Sequence, residues 1–543
     1  MRRTLFGESM SIVDLALHRR DSPVMTHSNR LVMVGRLWIA LTFLAAASCQ
    51  AAEPVDEENS APKSPNIILF LVDDLGWQDL SVPLHTEETE FNKRYQTPNV
   101  ERLAASGVVF TSAYASAPVC TPTRTSIMTG QDPARTQITY WTLNKDSDTS
   151  KSRPDLRAPA WRMNGLSQDD VTLPKLLTAA GYRTIHVGKA HFGAHQTSGA
   201  DPQNLGFEIN IAGHASGAPA SFYGLHNFSS AGRANKPDGK PSQWDVPGLE
   251  KYHGQDVYLT EALCTETLPE LRAAHEDGQP FFLNFCTYAV HAPIMANKRL
   301  LDDYTGLDQR EAAYATMVES YDNALGLILD ELDTLGIREE TLVIFASDNG
   351  GLSAHARGGE AHTHNAPLRS GKGSAYEGGT RVPTVIRWPG VARAGEREDT
   401  AIISQDFFST IVNAAGANLP QGLDSRDLAP LLRDAKGEIK SRTLGWNQPH
   451  QWGASGPGIE PFTSIREGAW KLIYFHSGRR FELYDLAHDI GETSDLAQDM
   501  PGRVILLAKV MQDWIDNTGA QLSIDPAKGR EILGPYAVSR GMH

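Results

Sequence analysis

Cysteine is scarce in this sequence: four among 543 residues, at Cys49, Cys120, Cys264 and Cys286. They form no CxxC pair and no Cys/His cluster, which excludes a disulfide framework and a zinc site of the usual spacing. Basic charge is also short. Lys plus Arg number 50 against 65 Asp plus Glu, a formal charge of −15. The chain therefore lacks the basic footprint that nucleic-acid phosphates demand. An anionic substrate stays open, since a small cationic pocket can sit inside an acidic protein. Long apolar runs are missing too. The longest candidate, 37–47, is too short for a spanning helix. No segment repeats at a fixed period. What remains is an ordinary globular composition, 41% hydrophobic and 21% charged. It is long enough for one large α/β domain and a smaller one.

The apolar run 37–47 follows Arg30 and Arg36 and leads into Ala45-Ala46-Ala47-Ser48. This pattern reads as a secretory signal, with an exported, periplasmic or secreted, product. A start at Met25 or Met33 would give that signal an ordinary length. Cys49 is a candidate lipidation site, although Ala46 stands where a bulkier aliphatic residue is expected. Residues 1–52 are set apart as an N-terminal extension, 53–435 as the catalytic domain and 436–543 as a C-terminal subdomain.

Several β-rich runs end in polar residues. Asn66–Val72 ends in Asp73-Asp74, and Thr341–Ser347 in Asp348-Asn349-Gly350-Gly351. Tyr182–Val187 leads to Gly188-Lys189-Ala190-His191, and Pro280–Cys286 to His291-Ala292-Pro293. Val382–Trp388 ends in Pro-Gly. Continuous apolar runs of this length fit strands buried on both faces. Helical patterns over 97–106, 173–180 and 312–335 alternate with them, each stopped by a glycine. The alternation predicts a mainly parallel sheet covered by helices, with its ligands at the carboxyl ends of the strands. Alone, Asp73-Asp74 is as much a turn as a site. Together with Asp348 and Asn349 it offers three carboxylates and an amide oxygen, a set suited to calcium or magnesium and not zinc.

Cys120-Thr121-Pro122-Thr123-Arg124 is the sharpest segment. Pro122 fits a first helical turn. Cys120 then sits at a helix start, where orphan N–H groups and the dipole favour negative charge. Arg124 lies one turn on along the same face. A bare Cys-x-Pro-x-Arg recurs by chance and then means only a small buried residue before a helix.

The run through Thr129-Gly130 resembles the signature of the formylglycine-dependent sulfatases, of the arylsulfatase type in the alkaline phosphatase superfamily. Further blocks resemble that family in order: Asp73-Asp74, 188–193, 291–293, 347–350, Gly371-Lys372-Gly373 and 377–383, then 465–473 and 482–486 near the C-terminus. The resemblance implies a large helix-covered, alkaline-phosphatase-like sheet and a small α+β C-terminal subdomain with an antiparallel sheet. It implies a maturation enzyme that oxidises Cys120 to formylglycine (3-oxoalanine). It also implies one calcium ion held by Asp73, Asp74, Asp348, Asn349 and residue 120. The hydrated aldehyde would attack sulfur with one hydroxyl and expel sulfate through the other. Arg124 and Lys189 would stabilise that diol, and His191 would take its proton. Lys372 and His291 would bind sulfate oxygens, with His291 protonating the leaving alcohol. Ala190 departs from a usual bulky aromatic, which would open space beside the pocket, and Thr123 from a common Ser.

The stretch 193–250 is rich in Gly, Ala, Ser and Asn and holds His195, His214, Phe222, Tyr223, His226 and Trp244. A long loop between two strand-end blocks is placed to roof an active site and select substrate. His214 is a candidate substrate contact. A second loop, 358–370, carries His362, His364 and Arg369. Rings beside a sulfate site suit a sulfated glycan or oligosaccharide. Two alternatives stand beside sulfate-ester hydrolysis: phosphonate monoester or phosphodiester hydrolysis within the same superfamily, and glycan binding by a chain never matured at Cys120. Cys264, in a helical pattern, and Cys286, in a strand, read as plain buried residues.

Overall fold

The computed structural model describes residues 64–231, 242–354, 357–434 and 442–542. The signal segment, Cys49 and the expected boundary at 435–436 lie outside the described residues. The architecture starts from β1 (Asn66–Val72), a strand with no polar face. Successive side chains of a strand point to opposite sides. Ile68, Phe70 and Val72 therefore enter one core and Ile67, Leu69 and Leu71 the other. Helices must cover both sides. Leu259–Glu276, Gln309–Thr334 and Pro98–Ala105 pack against the first face. Cys120–Thr129, Leu173–Ala179 and Asp406–Ala414 pack against the second.

The main sheet adds β2 (Val108–Phe110), β4 (Arg183–Gly188), β5 (Ile209–Ile211), β6 (Phe281–Cys286), β7 (Thr341–Ser347), β8 (Thr384–Arg387) and β9 (Glu396–Glu398), in the order β5-β4-β6-β1-β7-β8-β2-β9. A short side pair joins β3 (Ala113–Tyr114) and β10 (Ile402–Ile403). Register fixes where the chemistry falls. Val72 pairs with Ser347 and Leu71 with Cys286, so the polar residues after β1, β6 and β7 emerge side by side.

Two expectations are corrected. β8 is antiparallel to both neighbours, so its Pro389-Gly390 end points away from the other strand ends and its start, after Arg381, faces them. An apolar run reads alike in both directions, which hides this. The stretch 193–250 is also not all loop, because β5 within it extends the sheet edge beside β4. The helix holding Cys264 runs to Glu276, and Cys264 and Cys286 are both buried.

The chain ends in a four-stranded antiparallel sheet, β11 (Leu444–Gln448), β12 (Phe462–Glu467), β13 (Trp470–Phe475) and β14 (Arg480–Asp485). The helix Pro501–Thr518 covers one face through Val504, Leu507 and Met511. The other face packs on Tyr114 and Tyr376 of the larger part. Lys471 on β13 makes buried ion pairs of 2.9 Å with Glu377 and Glu492. Among the described residues no helix is long and apolar enough to cross a membrane.

Candidate active site

Four strand ends and one helix start meet at Cys120. It is the first residue of Cys120–Thr129, preceded by an extended Val119. The Thr123 hydroxyl closes this start by bonding both N–H and C=O of Ala117, a task that serine in its place would also perform. Lys372 Nζ lies 3.4 Å from the thiol and 2.6 Å from Asp74 Oδ1. Lys189 Nζ is 2.6 Å from Asp73 Oδ1, which is 3.8 Å from Cys120 Sγ. Arg124 donates Nε to Asp348 at 2.7 Å and Nη1 to the Lys189 carbonyl at 2.7 Å. Asp74 N–H donates to Asp348 Oδ1 at 3.2 Å, and Asn349 Nδ2 to Asp74 Oδ1 at 2.7 Å. Asp73 N–H donates to the Ala289 carbonyl, and Val290 N–H back to the Asp73 carbonyl. That exchange holds the turn carrying His291.

Ligand atoms of Asp73, Asp74, Asp348 and Cys120 all lie within 4.8 Å of one another. Packing acids so closely in a buried place is costly without a cation. Burial raises Asp73 well above the carboxylate range, and Asp348 and Asp74 add to this against Lys189. Burial also works against Asp74, but Lys372 and His291 hold it below that range. Asp73 Oδ2 and Asn349 Oδ1 are buried acceptors without a hydrogen-bond partner. Orphan oxygens and an all-carboxylate-and-amide donor set fit a hard divalent cation.

His191 sits at a left-handed turn (φ 53°) and is buried. Its Nε2 is 2.8 Å from the Thr142 carbonyl. A carbonyl only accepts, so Nε2 carries the proton and Nδ1, which has no partner, is the free base. Burial, with Lys189 next, keeps the ring well below its ordinary pKa and so neutral. His291 donates Nδ1–H to the Ala292 carbonyl at 2.7 Å. Burial and then Lys372 push it down to about 3. Burial pushes the Cys120 thiol up to about 12 in spite of Lys189 and Lys372. As a plain thiol it is a poor nucleophile at neutral pH.

Cys120, His191, His291 and Lys372 line a cavity of about 210 Å³, completed by Val119, Trp141, Gly217, Ala218, Trp244 and Trp452. A larger groove of about 1050 Å³ beside Trp77, Arg381, Arg397 and Arg466 contains none of the four reactive candidates. Chemistry, not size, identifies the site. The stretch 193–250 does roof the cavity, but through Gly217, Ala218 and Trp244. A Cβ on Gly217 would lie 2.3 Å from the His191 ring. His214 stands behind this wall: its carbonyl accepts from His191 N–H, and its ring lies 6.3 Å from that of Tyr288. His195 and His226 bond Ser216 and Ser221. Ala190 is buried in the core and opens no space at the cavity. His362, His364 and Arg369 of the loop 358–370 do not line the cavity; Arg369 stacks on Tyr376 and bonds Tyr484.

Sequence reasoning did not single out Trp141, Trp452 or Asn365. Asn365 is buried and donates Nδ2 to the carbonyls of Gly351 (3.1 Å) and Ser370 (2.8 Å). Added Cβ atoms on Gly76, Gly351 and Gly371 would all come within 2.5 Å of its side chain. These three glycines flank Asp74, Asn349 and Lys372, so one amide ties together the three loops that bear them. Its only sequence signal is a lone Asn before Ala-Pro.

The profile of the family described as Sulfatase matches residues 65–417. One described as N-sulphoglucosamine sulphohydrolase, C-terminal, matches 371–516. A Sulfatase of Formosa agariphila is 30% identical over 496 residues, covering 83% of this chain and 87% of that protein. The N-acetylgalactosamine-6-sulfatase of Mus musculus is 32% identical over 416 residues, covering 72% and 73%. Among solved structures, Ps i-CgsB in complex with k-i-k-neocarrahexaose superposes with a TM-score of 0.68 at 25% identity, covering 84% of this chain and 94% of that one.

Proposed function

The chain belongs to the sulfatase family and is a sulfuric ester hydrolase; from that premise we propose that it desulfates a glycan, with residue 120 as a formylglycine nucleophile beside one calcium ion. The observation that carries the reading is the meeting of Cys120 with Lys372 at 3.4 Å in a cavity that also holds His191 and His291. The glycan class rests on similarity to an N-acetylgalactosamine-6-sulfatase and to a structure holding a neocarrahexaose.

Asp73, Asp74, Asp348, Asn349 and residue 120 would hold the calcium ion, which would neutralise sulfate charge and polarise sulfur. Once oxidised, residue 120 would supply a geminal diol, one hydroxyl for attack and a second to let sulfate leave. Lys372 and Lys189, both held cationic by their carboxylates, would bind sulfate oxygens and steady the diol. Arg124 fixes Asp348 and the Lys189 backbone. His191 would take a proton at Nδ1, the nitrogen left free by Thr142. Burial and Lys372 hold His291 neutral, so its role as acid would be coupled to substrate: a sulfate beside it would favour the imidazolium and ready it to protonate the leaving alcohol.

The domain division at 435–436, the exported location and the maturation enzyme belong to this proposal. The test is the mass of the tryptic peptide containing residue 120 from the native host, together with sulfate release from a panel of sulfated sugars and one phosphodiester. An unmodified thiol in fully active enzyme would refute the nucleophile. Faster turnover of the phosphodiester would refute the substrate class.

A further inference from the structure

The cavity wall beyond the four reactive candidates is apolar. Val119, Gly217 and Ala218 supply small surfaces, and Trp141, Trp244 and Trp452 supply rings. The tryptophans come from three unrelated places in the chain: the segment after the Cys120 helix, the roof stretch, and the loop following β11. Their placement is built into the backbone. Trp452 lies over Gly373, where a Cβ would sit 2.2 Å from the indole and φ is +83°. Only glycine there lets the ring rest against the residue after Lys372. Trp244 is held through its carbonyl, which accepts from Ala220 N–H at 2.6 Å.

Every cation lining the cavity is already committed. Lys372 sits on Asp74 beside Cys120. Among the described residues, no arginine, second lysine or carboxylate lines the wall. Aromatic faces carry the negative side of the ring quadrupole, so they welcome C–H groups and repel anions. A volume of about 210 Å³ falls below the range usual for drug-sized ligands. It leaves room for one ring and its sulfate.

Resting on the reading of this cavity as a sulfate-ester site, we infer that the three tryptophans select a neutral, singly sulfated sugar ring by stacking on its C–H face. They select against a ring that carries a carboxylate or a second sulfate. The roof thus sets specificity by hydrophobic contact and charge exclusion, with sugar hydroxyls contributing little.

The test uses two measurements. The Cys120→Ala variant is titrated by calorimetry with a galactose monosulfate, the corresponding disulfate and a sulfated glucuronic acid. The monosulfate should bind at least about tenfold tighter than either of the others. In the mature enzyme, Trp141→Ala, Trp244→Ala and Trp452→Ala should each lower kcat/KM for the monosulfate at least about tenfold. The matching Phe variants keep a ring, and they should recover most of the loss while melting like the parent. Equal binding of the three ligands, or Ala variants within about twofold of the parent, would overturn the inference. Sulfate release without the preference sinks the tryptophan selection and leaves the reaction standing. Selective binding with no sulfate release by the mature enzyme sinks the reaction and leaves the selection standing.

Discussion

Replacing Asn365 tests whether the loops around Cys120 are held by one side chain. Asn365→Ala removes two donors from the buried carbonyls of Gly351 and Ser370. The Gly351 carbonyl keeps the Lys372 N–H, so the Ser370 carbonyl alone is left unpaired, at a cost of about 1–3 kcal/mol. Unfolding entropy for a compact unit of ~480 residues is about 1 kcal/mol per kelvin, so Tm should fall by about 1–3 °C. The larger effect falls on chemistry. Gly351 accepts the backbone N–H of Lys372, and Gly76 packs on Gly351, so loosening the amide shifts the ammonium relative to Cys120. A displacement of about 1 Å in such a group costs about a hundredfold in rate. The assay is kcat and KM on an aryl sulfate beside calorimetric melting, for Asn365→Ala and for Asn365→Asp. The Asp variant keeps the volume but turns the donors into acceptors against two carbonyls, so it should be no better than Ala. If both variants melt lower while kcat/KM stays within about threefold, Asn365 supports only the fold and the positioning argument is wrong.

Cys120→Ala and Cys120→Ser should both lose turnover with an unchanged melting curve, and serine should trap sulfate in a mass spectrum; full activity in either would refute the nucleophile. Gly217→Ala, whose Cβ would lie 2.3 Å from the His191 ring, should lower kcat by about tenfold or more at nearly constant KM, because the displaced group serves a step after binding. Chelation should lower both activity and Tm, and calcium or magnesium, not zinc, should restore them; the Tm arm reads metal binding apart from turnover. Acid should destabilise the fold through His186, His450 and His476, which burial pushes down to about 3. Unfolded histidines take up protons below about pH 6.5 that these folded rings refuse, so stability is full above that value and is lost as pH falls toward 3, by about 2 kcal/mol each at pH 5. His450→Gln should flatten the slope of unfolding free energy between about pH 4 and 6 by up to one proton, and an unchanged slope would contradict the assignment.

What the sequence made legible is what a short window can hold. A strand buried on both faces announces itself as an unbroken apolar run, and the residues after it are read with it. Asp73-Asp74, Lys189, His291 and Asp348-Asn349 were therefore found without knowing which strands pair. Parallel pairing in register, Val72 with Ser347 and Leu71 with Cys286, then brings those windows together. Direction along the sheet left no such mark, which is why β8 turned out reversed. Imidazoles in the stretch 193–250 drew attention by their chemistry, yet His214 serves the site through its backbone carbonyl. The rings that reach the cavity are Trp141, Trp244 and Trp452. Trp141 and Trp452 lie in segments with no periodicity, and each matters only because a glycine elsewhere makes room or a distant loop crosses it. The same holds for Asn365, whose three glycine partners are spread over almost 300 positions of chain. Groups that react sit at strand ends, at the helix start of Cys120 and between Gly371 and Gly373, and carry local signatures. Groups that clamp and select owe their places to contacts between segments, and their signature is a pair: a bulky side chain in one loop and a glycine in another.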